Sequence, residues 1–174
     1  VVSDNDDCDN SEICSSGVCS VRATETCIES QRILTLSSLT NAHAELFDQS
    51  LYNLDICYNN LFGRQYTGAN PHACSGTNFV LNLTNTTDAH GVIIGKGSAV
   101  CYGDLNCSVL TTGNCPSNYV NVLSLSDISN AHLAKGNSQL YPIKICCSTS
   151  QPIIISGCNN NTVCETGEDC VCED

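Results

Sequence analysis

Leucine alternates with polar residues in three short stretches of the chain, which is the pattern of half-buried β-strands. The alternating pairs are Leu34 and Leu36, Leu81 and Leu83, and Leu123 and Leu125. Runs rich in Ile, Val, Leu and Tyr predict further strands at Leu51–Tyr58, Gly91–Ile94 and Gln139–Cys147. Clusters of Asn, Gly, Ser and Thr separate these runs, as turns require. Helical periodicity is weak, and Thr40–Gln49 is the candidate for one short helix.

The alternating stretches belong to a threefold internal repeat. Leu34–Cys57 and Leu123–Cys146 align without a gap, and a shorter copy runs from Leu81 to Cys101. Each copy passes through L-x-L-[ST], reaches [ST]-[ND]-A-H and ends at a cysteine. About 30 residues per copy are too few to bury a core alone, so the copies are predicted to pack into one sandwich or barrel of roughly six to nine strands.

Three zones follow from this pattern. Residues 1–26 form an acidic, cysteine-rich segment, residues 27–156 carry the three-repeat β domain, and residues 157–174 are again acidic and cysteine-rich. The L-x-L-S-x-L run followed by Y-x-[LI]-x-I-C resembles the E and F strands of immunoglobulin-like sandwiches, although the tryptophan of antibody domains is absent. The predicted fold class is therefore an all-β, disulfide-rich Greek-key or immunoglobulin-like sandwich.

Fifteen cysteines in 174 residues are typical of a disulfide scaffold in an oxidising compartment. The spacings lack the C-x-x-C pairs of zinc ribbons and ferredoxins, so disulfides are favoured over metal thiolates. The odd count leaves one cysteine free or paired with another chain, and the connectivity stays open. The predicted bridge-forming residues are Cys8, Cys14, Cys19, Cys27, Cys57, Cys74, Cys101, Cys107, Cys115, Cys146, Cys147, Cys158, Cys164, Cys170 and Cys172.

The location predicted from these features is the cell exterior or surface. Methionine is absent, so a leader is expected to have been removed, leaving Val1 as the mature N-terminus. No apolar run is long enough to predict membrane insertion. The net charge of −12 excludes nucleic acid as a natural partner and disfavours anionic membrane surfaces.

The same charge suits a chain that binds divalent cations, although solubility alone is the simpler explanation. Oxygen-bearing side chains cluster at both ends, and Ca²⁺ takes six to eight oxygen ligands. Calcium is therefore favoured over a bare solvated tail, although no EF-hand loop is present. The candidate calcium ligands are Asp4, Asp6, Asp7, Asp9, Asn10, Glu12, Glu165, Glu168, Asp169, Glu173 and Asp174.

One histidine occupies the same position in each copy, two residues after an Asn or Asp. The pairs are Asn41 with His43, Asp88 with His90, and Asn130 with His132. Histidine and aspartate are good metal ligands, but one metal site would require the three copies to converge. The favoured interpretation is a structural corner, in which the Asn or Asp makes an Asx-turn and the ring bonds a backbone carbonyl. His72 follows Pro71 in a predicted loop and carries no functional signal.

Four N-glycosylation sequons begin at Asn82, Asn85, Asn106 and Asn160. Strand alternation is expected to turn Asn82 outward, where a glycan could block pairing at a sheet edge. No hydrolase motif, metalloprotease motif or phosphate-binding loop occurs, so the chain is predicted not to be an enzyme.

The segment Cys158–Cys170 resembles the C-G-N-G-x-C-E-x-G-E tail of secreted microbial proteins, with one extra residue between the first two cysteines and without the glycines at that place. The [ST]-N-A-H…Y-x-[LI]-x-[LI]-C pattern resembles repeats of archaeal secreted surface proteins. The chain thus resembles glycosylated, calcium-binding filament or surface-layer subunits of archaea or other environmental microbes. This resemblance implies a structural subunit that partners copies of itself in a polymer, carries covalent glycans and uses Ca²⁺ to brace subunit contacts. The alternative is a monomeric, secreted, Ca²⁺-dependent glycan-binding or adhesin domain, and a secreted hydrolase ranks last.

Overall fold

The structure is a computed structural model, which describes residues 25–136 and 140–150 and the backbone of two short strands before them. All candidate calcium ligands except Glu12 lie outside the described residues, as does Asn160. Glu12 begins the first strand, where the backbone alone is described. The apolar run Ile153–Ile155, which could complete a neighbour's sheet edge, also lies outside them.

The described part of the chain is mostly β-structure. Its strands are β1 (Glu12–Ser15), β2 (Val18–Val21), β3 (Arg32–Leu36), β4 (Ala44–Leu46), β5 (Leu54–Cys57), β6 (Phe79–Leu83), β7 (Gly91–Val92), β8 (Ser98–Cys101), β9 (Leu105–Leu110), β10 (Val120–Leu125), β11 (Leu133–Lys135) and β12 (Ile143–Thr149). One α-helix, α1 (Tyr58–Phe62), and one 3₁₀ turn (Glu29–Gln31) complete the described elements.

The strands form a hairpin, β1–β2, and three small antiparallel sheets with orders β4-β3-β5, β7-β6-β8 and β11-β10-β12-β9. The central strands β3, β6 and β10 carry the three L-x-L pairs. Each central strand pairs with the short strand that follows it and with a later strand, on which the closing cysteine lies. Each also has a register shift immediately before its L-x-L pair, between Arg32 and Leu34, Phe79 and Leu81, and Asn121 and Leu123.

The six leucines of the L-x-L pairs are all fully buried, as the alternation predicted. The polar residues between them differ from that prediction. Thr35 and Ser124 are buried too, and Asn82 is half-buried. The buried Thr35 is satisfied by donating to Asp55, whose carboxylate also accepts the Cys27 backbone N–H. Strands β3 and β10 are therefore covered on both faces.

Four disulfides staple the described domain. Three of them join the cysteine that ends a copy to a cysteine that precedes its L-x-L pair, namely Cys27–Cys57, Cys74–Cys101 and Cys115–Cys146. The fourth, Cys107–Cys147, joins β9 to β12. No cysteine among the described side chains is free. Disulfides at this density are typical of oxidising compartments. None of the described helices is long and apolar enough to cross a membrane.

The predicted helix at Thr40–Gln49 is wrong. This segment contains a corner followed by β4, and the α-helix lies at Tyr58–Phe62. Ala44, Glu45 and Leu46 favour helix locally, but their backbones pair with Leu36, Thr35 and Leu34 of β3. Tertiary pairing therefore overrides a weak local preference. The other three predicted strands overlap β5, β7 and β12, with shifted boundaries.

Candidate metal centre

A closed ring of backbone hydrogen bonds joins the three copies at their histidines. The residue before each histidine pairs with the residue after the histidine of another copy, and each pair exchanges two N–H···O bonds of 2.8–2.9 Å. The pairs are Ala42 with Leu133, Ala89 with Ala44, and Ala131 with Gly91. All four alanines in these pairs are fully buried. Each histidine is thus fixed on both sides by a neighbouring copy.

A hydroxyl residue anchors each histidine within its own copy. The Ser or Thr that ends L-x-L-[ST] accepts the histidine N–H at 3.0 Å and returns its own N–H to the histidine carbonyl at 2.9–3.1 Å. The pairs are Ser37 with His43, Thr84 with His90, and Ser126 with His132. This contact explains why a Ser or Thr stands six positions before each of these three histidines. The sequence contained this pattern, but it did not indicate that the three rings meet.

The three imidazole rings lie against one another. The ring centroids are 4.6 Å apart for His43 and His90, 4.7 Å for His90 and His132, and 5.2 Å for His43 and His132. The Nε2 atoms of His90 and His43 are 3.1 Å apart, and one ring nitrogen from each of the three lies within 4.8 Å of the others. The corner interpretation treated the histidines as separate, and the structure brings them together.

Each histidine Nδ1 faces an oxygen supplied by another copy. His43 Nδ1 lies 2.5 Å from Asp88 Oδ1, and His90 Nδ1 lies 2.6 Å from Asn130 Oδ1. His132 Nδ1 lies 3.4 Å from the backbone oxygen of Asn41. A ring that donates from Nδ1 to such an oxygen has its Nε2 left to accept a hydrogen bond or to bind a metal, and the Nε2 atoms of His43 and His90 face each other.

Tight corners position these oxygens. Asn41, Asp88 and Asn130 have left-handed backbones with φ of 51°, 47° and 50°, a conformation that Asn and Asp tolerate better than other side chains. A corner therefore lies at each of these residues, but the predicted Asx-turn is wrong, because the N–H of each histidine donates to the Ser or Thr hydroxyl and not to the Asn or Asp side chain. The ring contacts differ from that prediction, because the acceptors for His43 and His90 are side-chain oxygens of neighbouring copies.

Two tyrosines extend the network outward. Tyr52 donates to Asp88 Oδ1 at 2.5 Å, and Tyr141 donates to Asn41 Oδ1 at 3.3 Å. They occupy the same position, five residues before the closing cysteine of their copies, so the alignment contained the signal for this pair. Hydrogen bonds from Tyr52 and then His43 lower the pKa of Asp88 below its ordinary value. Partial burial, followed by the bond to Asp88, raises the pKa of Tyr52 to about 12.

The arrangement matches the requirements of a transition-metal site. The Nε2 atoms of His43 and His90 lie 3.1 Å apart, a distance at which one ring donates to the other when one Nε2 carries a proton and at which both can bind one cation when neither does. Tetrahedral Zn²⁺ with bonds of about 2.0–2.1 Å separates its nitrogen ligands by about 3.3 Å. Metal-bound histidines typically donate their other ring N–H to a carboxylate, carbonyl or water, as the Nδ1 contacts here do. Cys27, Asp55 and Cys57 also lie close together, but their two sulfurs form a disulfide, which leaves no thiolate to bind a metal.

The other predicted site residues lie apart from this cluster. Asn85 and Asn106 are exposed, and half-buried Asn82 donates from Nδ2 to the Gly95 carbonyl at 3.3 Å. His72, for which no function was predicted, stacks on Phe47 and contacts the Arg32 carbonyl through Nε2 at 2.7 Å. Burial lowers the pKa of His72, so its role is in packing.

No family model, curated protein or solved structure matches this chain.

We expect Asp88→Asn to weaken Zn²⁺ binding by about 10–100-fold, the usual cost of losing a hydrogen-bond partner of a metal ligand. The amide keeps the shape of the carboxylate but removes the charge that orients and polarises His43. The measurement is isothermal titration calorimetry of EDTA-stripped protein with ZnCl₂. Asp127→Asn is the matched control, because it removes the same charge from a neighbouring loop. Equal affinities for the two variants would contradict a specific role for Asp88.

Proposed function

We propose that this chain is a disulfide-stapled, secreted β-protein that binds one transition-metal ion of the Zn²⁺ class through Nε2 of His43, His90 and His132. The observation that carries the proposal is the convergence of three imidazoles whose Nδ1 atoms all face oxygen acceptors. Imidazole suits Zn²⁺, Cu²⁺ and Ni²⁺, whereas Ca²⁺ and Mg²⁺ prefer oxygen ligands. In an oxidising compartment cysteines form disulfides and no longer offer a thiolate to a metal. Histidine is then the side chain available to hold such an ion.

The proposal includes a three-repeat architecture, with each copy giving one histidine to a common axis. Three features recur in every copy and support it. They are the register shift before the L-x-L pair, the Ser or Thr that hydrogen-bonds the histidine backbone, and the two backbone β-bridges to the neighbouring copies. The Greek-key sandwich stays a prediction. The filament-subunit and adhesin hypotheses, the calcium sites and the glycans also stay predictions. The adhesin hypothesis predicts an exposed aromatic platform; of the six tyrosines, Tyr58 and Tyr102 are buried and stacked on each other, and the other four are partly buried.

The direct test is titration of EDTA-stripped protein with Zn²⁺ and, separately, with Co²⁺, whose visible absorption reports its coordination. Excess Ca²⁺ is present throughout, so that the acidic terminal segments are occupied by a hard cation. We expect one Zn²⁺ per chain and a Co²⁺ spectrum typical of nitrogen ligands in four-coordinate geometry. Failure to bind either ion, or displacement of Zn²⁺ by Ca²⁺, would overturn the proposal.

A further inference from the structure

The histidine cluster offers three protein ligands, and among the described residues no fourth His, Cys, Asp or Glu joins it. Structural zinc sites are closed by four protein ligands, whereas catalytic sites have three and bind water at the fourth position. All three histidines are only partly buried, and the side chain of Asp88 beside them is 63% exposed. Solvent therefore reaches the cluster, so a water molecule can supply a fourth ligand.

Bonds within the protein surround this position. A disulfide closes each copy, and the ring of paired backbone hydrogen bonds joins the three copies to one another. The rings are oriented by these bonds and by their Nδ1 contacts before any metal binds. A site that is preorganised by the protein's own bonds resembles a reactive centre more than a structural one.

Charge limits what such a centre could accept. Asp88 is the one carboxylate hydrogen-bonded to the described histidine cluster. The chain as a whole carries −12. Both charges repel phosphate esters and other anions. Uncharged carbonyl compounds are not repelled by these charges. Among them, small compounds suit an open site at the surface.

On the basis of the proposed zinc site, we propose that the bound ion activates a water molecule and that the centre hydrolyses small, uncharged esters. Zinc lowers the pKa of bound water from 15.7 to about 7, which supplies hydroxide at neutral pH. The hydroxide oxygen adds to the ester carbonyl carbon and forms a C–O bond. The tetrahedral intermediate then breaks its C–O bond to the alkoxide, which takes the proton of the added hydroxyl and leaves as the alcohol. The carboxylate departs, and a new water binds the ion and loses a proton to solvent.

The test is hydrolysis of p-nitrophenyl acetate by zinc-loaded protein, by EDTA-stripped protein and by free Zn²⁺ at the same concentration. We expect the loaded protein to exceed both by about 10-fold or more, with a rate that rises with pH to a plateau as one proton leaves the bound water. Asp127→Asn is expected to keep the native rate. His72→Gln is also expected to keep it, which separates metal-dependent hydrolysis from attack by an unrelated imidazole.

The outcomes separate this inference from the proposed function. If Zn²⁺ binds one per chain but the loaded protein is no faster than free Zn²⁺, the hydrolytic inference fails and metal binding stands. If Zn²⁺ does not bind, both fail. If stripped and loaded protein are equally fast, the activity belongs to another nucleophile and the inference also fails.

Discussion

Replacing His90 by alanine should lower Zn²⁺ affinity by at least about 100-fold, more than the loss of an outer hydrogen-bond partner. The His90 ring is closer to each of the other two rings than they are to each other, with its Nε2 3.1 Å from His43 Nε2 and its centroid 4.7 Å from that of His132. Without it, two imidazoles and solvent remain to hold the ion. The measurement is calorimetric titration of stripped protein with ZnCl₂.

The His90 variant should still fold, because the bonds that place this residue come from its backbone. Its N–H donates to Thr84 Oγ1, its carbonyl accepts the Thr84 N–H, and neither bond involves the ring. Circular dichroism in EDTA should therefore match the native protein. His72→Gln is the control, because it removes the histidine outside the cluster and should leave Zn²⁺ affinity unchanged. Native affinity in the His90→Ala variant would show that the ion binds elsewhere.

Removing the Cys115–Cys146 disulfide by replacing both residues with alanine should lower the free energy of unfolding by about 3–4 kcal/mol. The bridge spans 31 residues of sequence, and cross-linking a loop of that length restricts the unfolded chain by about this amount. Urea unfolding at equilibrium, with Zn²⁺ removed by EDTA, measures the change.

The single variant Cys115→Ala is the comparison that tests the pairing itself. If Cys115 bonds Cys146, the single variant loses the same cross-link and should be destabilised by nearly the same amount as the double variant. A much smaller effect in the single variant would mean that Cys146 has another partner. Zn²⁺ affinity should change little in either variant, because the bridge joins the ends of one copy and does not contact the rings.

Local features of the fold were readable from the sequence. The L-x-L pairs predicted the central strands, because the alternation of apolar and polar residues reflects which face of a strand is buried. The Asn and Asp corners were readable for a similar reason, since their short polar side chains favour a left-handed backbone. Helix at Thr40–Gln49 was mispredicted because Ala44 and Leu46 suit either structure, and only the partner strand decides.

Convergence of the histidines was not readable in the same way. His43 contacts Asp88 across 45 residues, and His132 contacts Asn41 across 91. No local pattern encodes how separate copies face one another. A signal was nevertheless present, because equivalent residues meet wherever repeats close around an axis, and one histidine per copy then becomes three at one point. The convergence that one metal site required is therefore a consequence of the repeat itself.

The ring of backbone bridges has a direction, and this bears on how such a chain could have arisen. Each copy uses the residue before its histidine toward one neighbour and the residue after it toward the other, which makes every contact heterologous. Heterologous contacts form a closed ring only when the rotation that relates one copy to the next returns to the starting copy. Here three copies complete the ring. A chain containing a single copy would therefore complete the histidine cluster only as a cyclic trimer. Fusing three copies in one polypeptide removes the concentration dependence of that trimer and allows the corners to diverge, so that one of them can carry an aspartate where the other two carry asparagine.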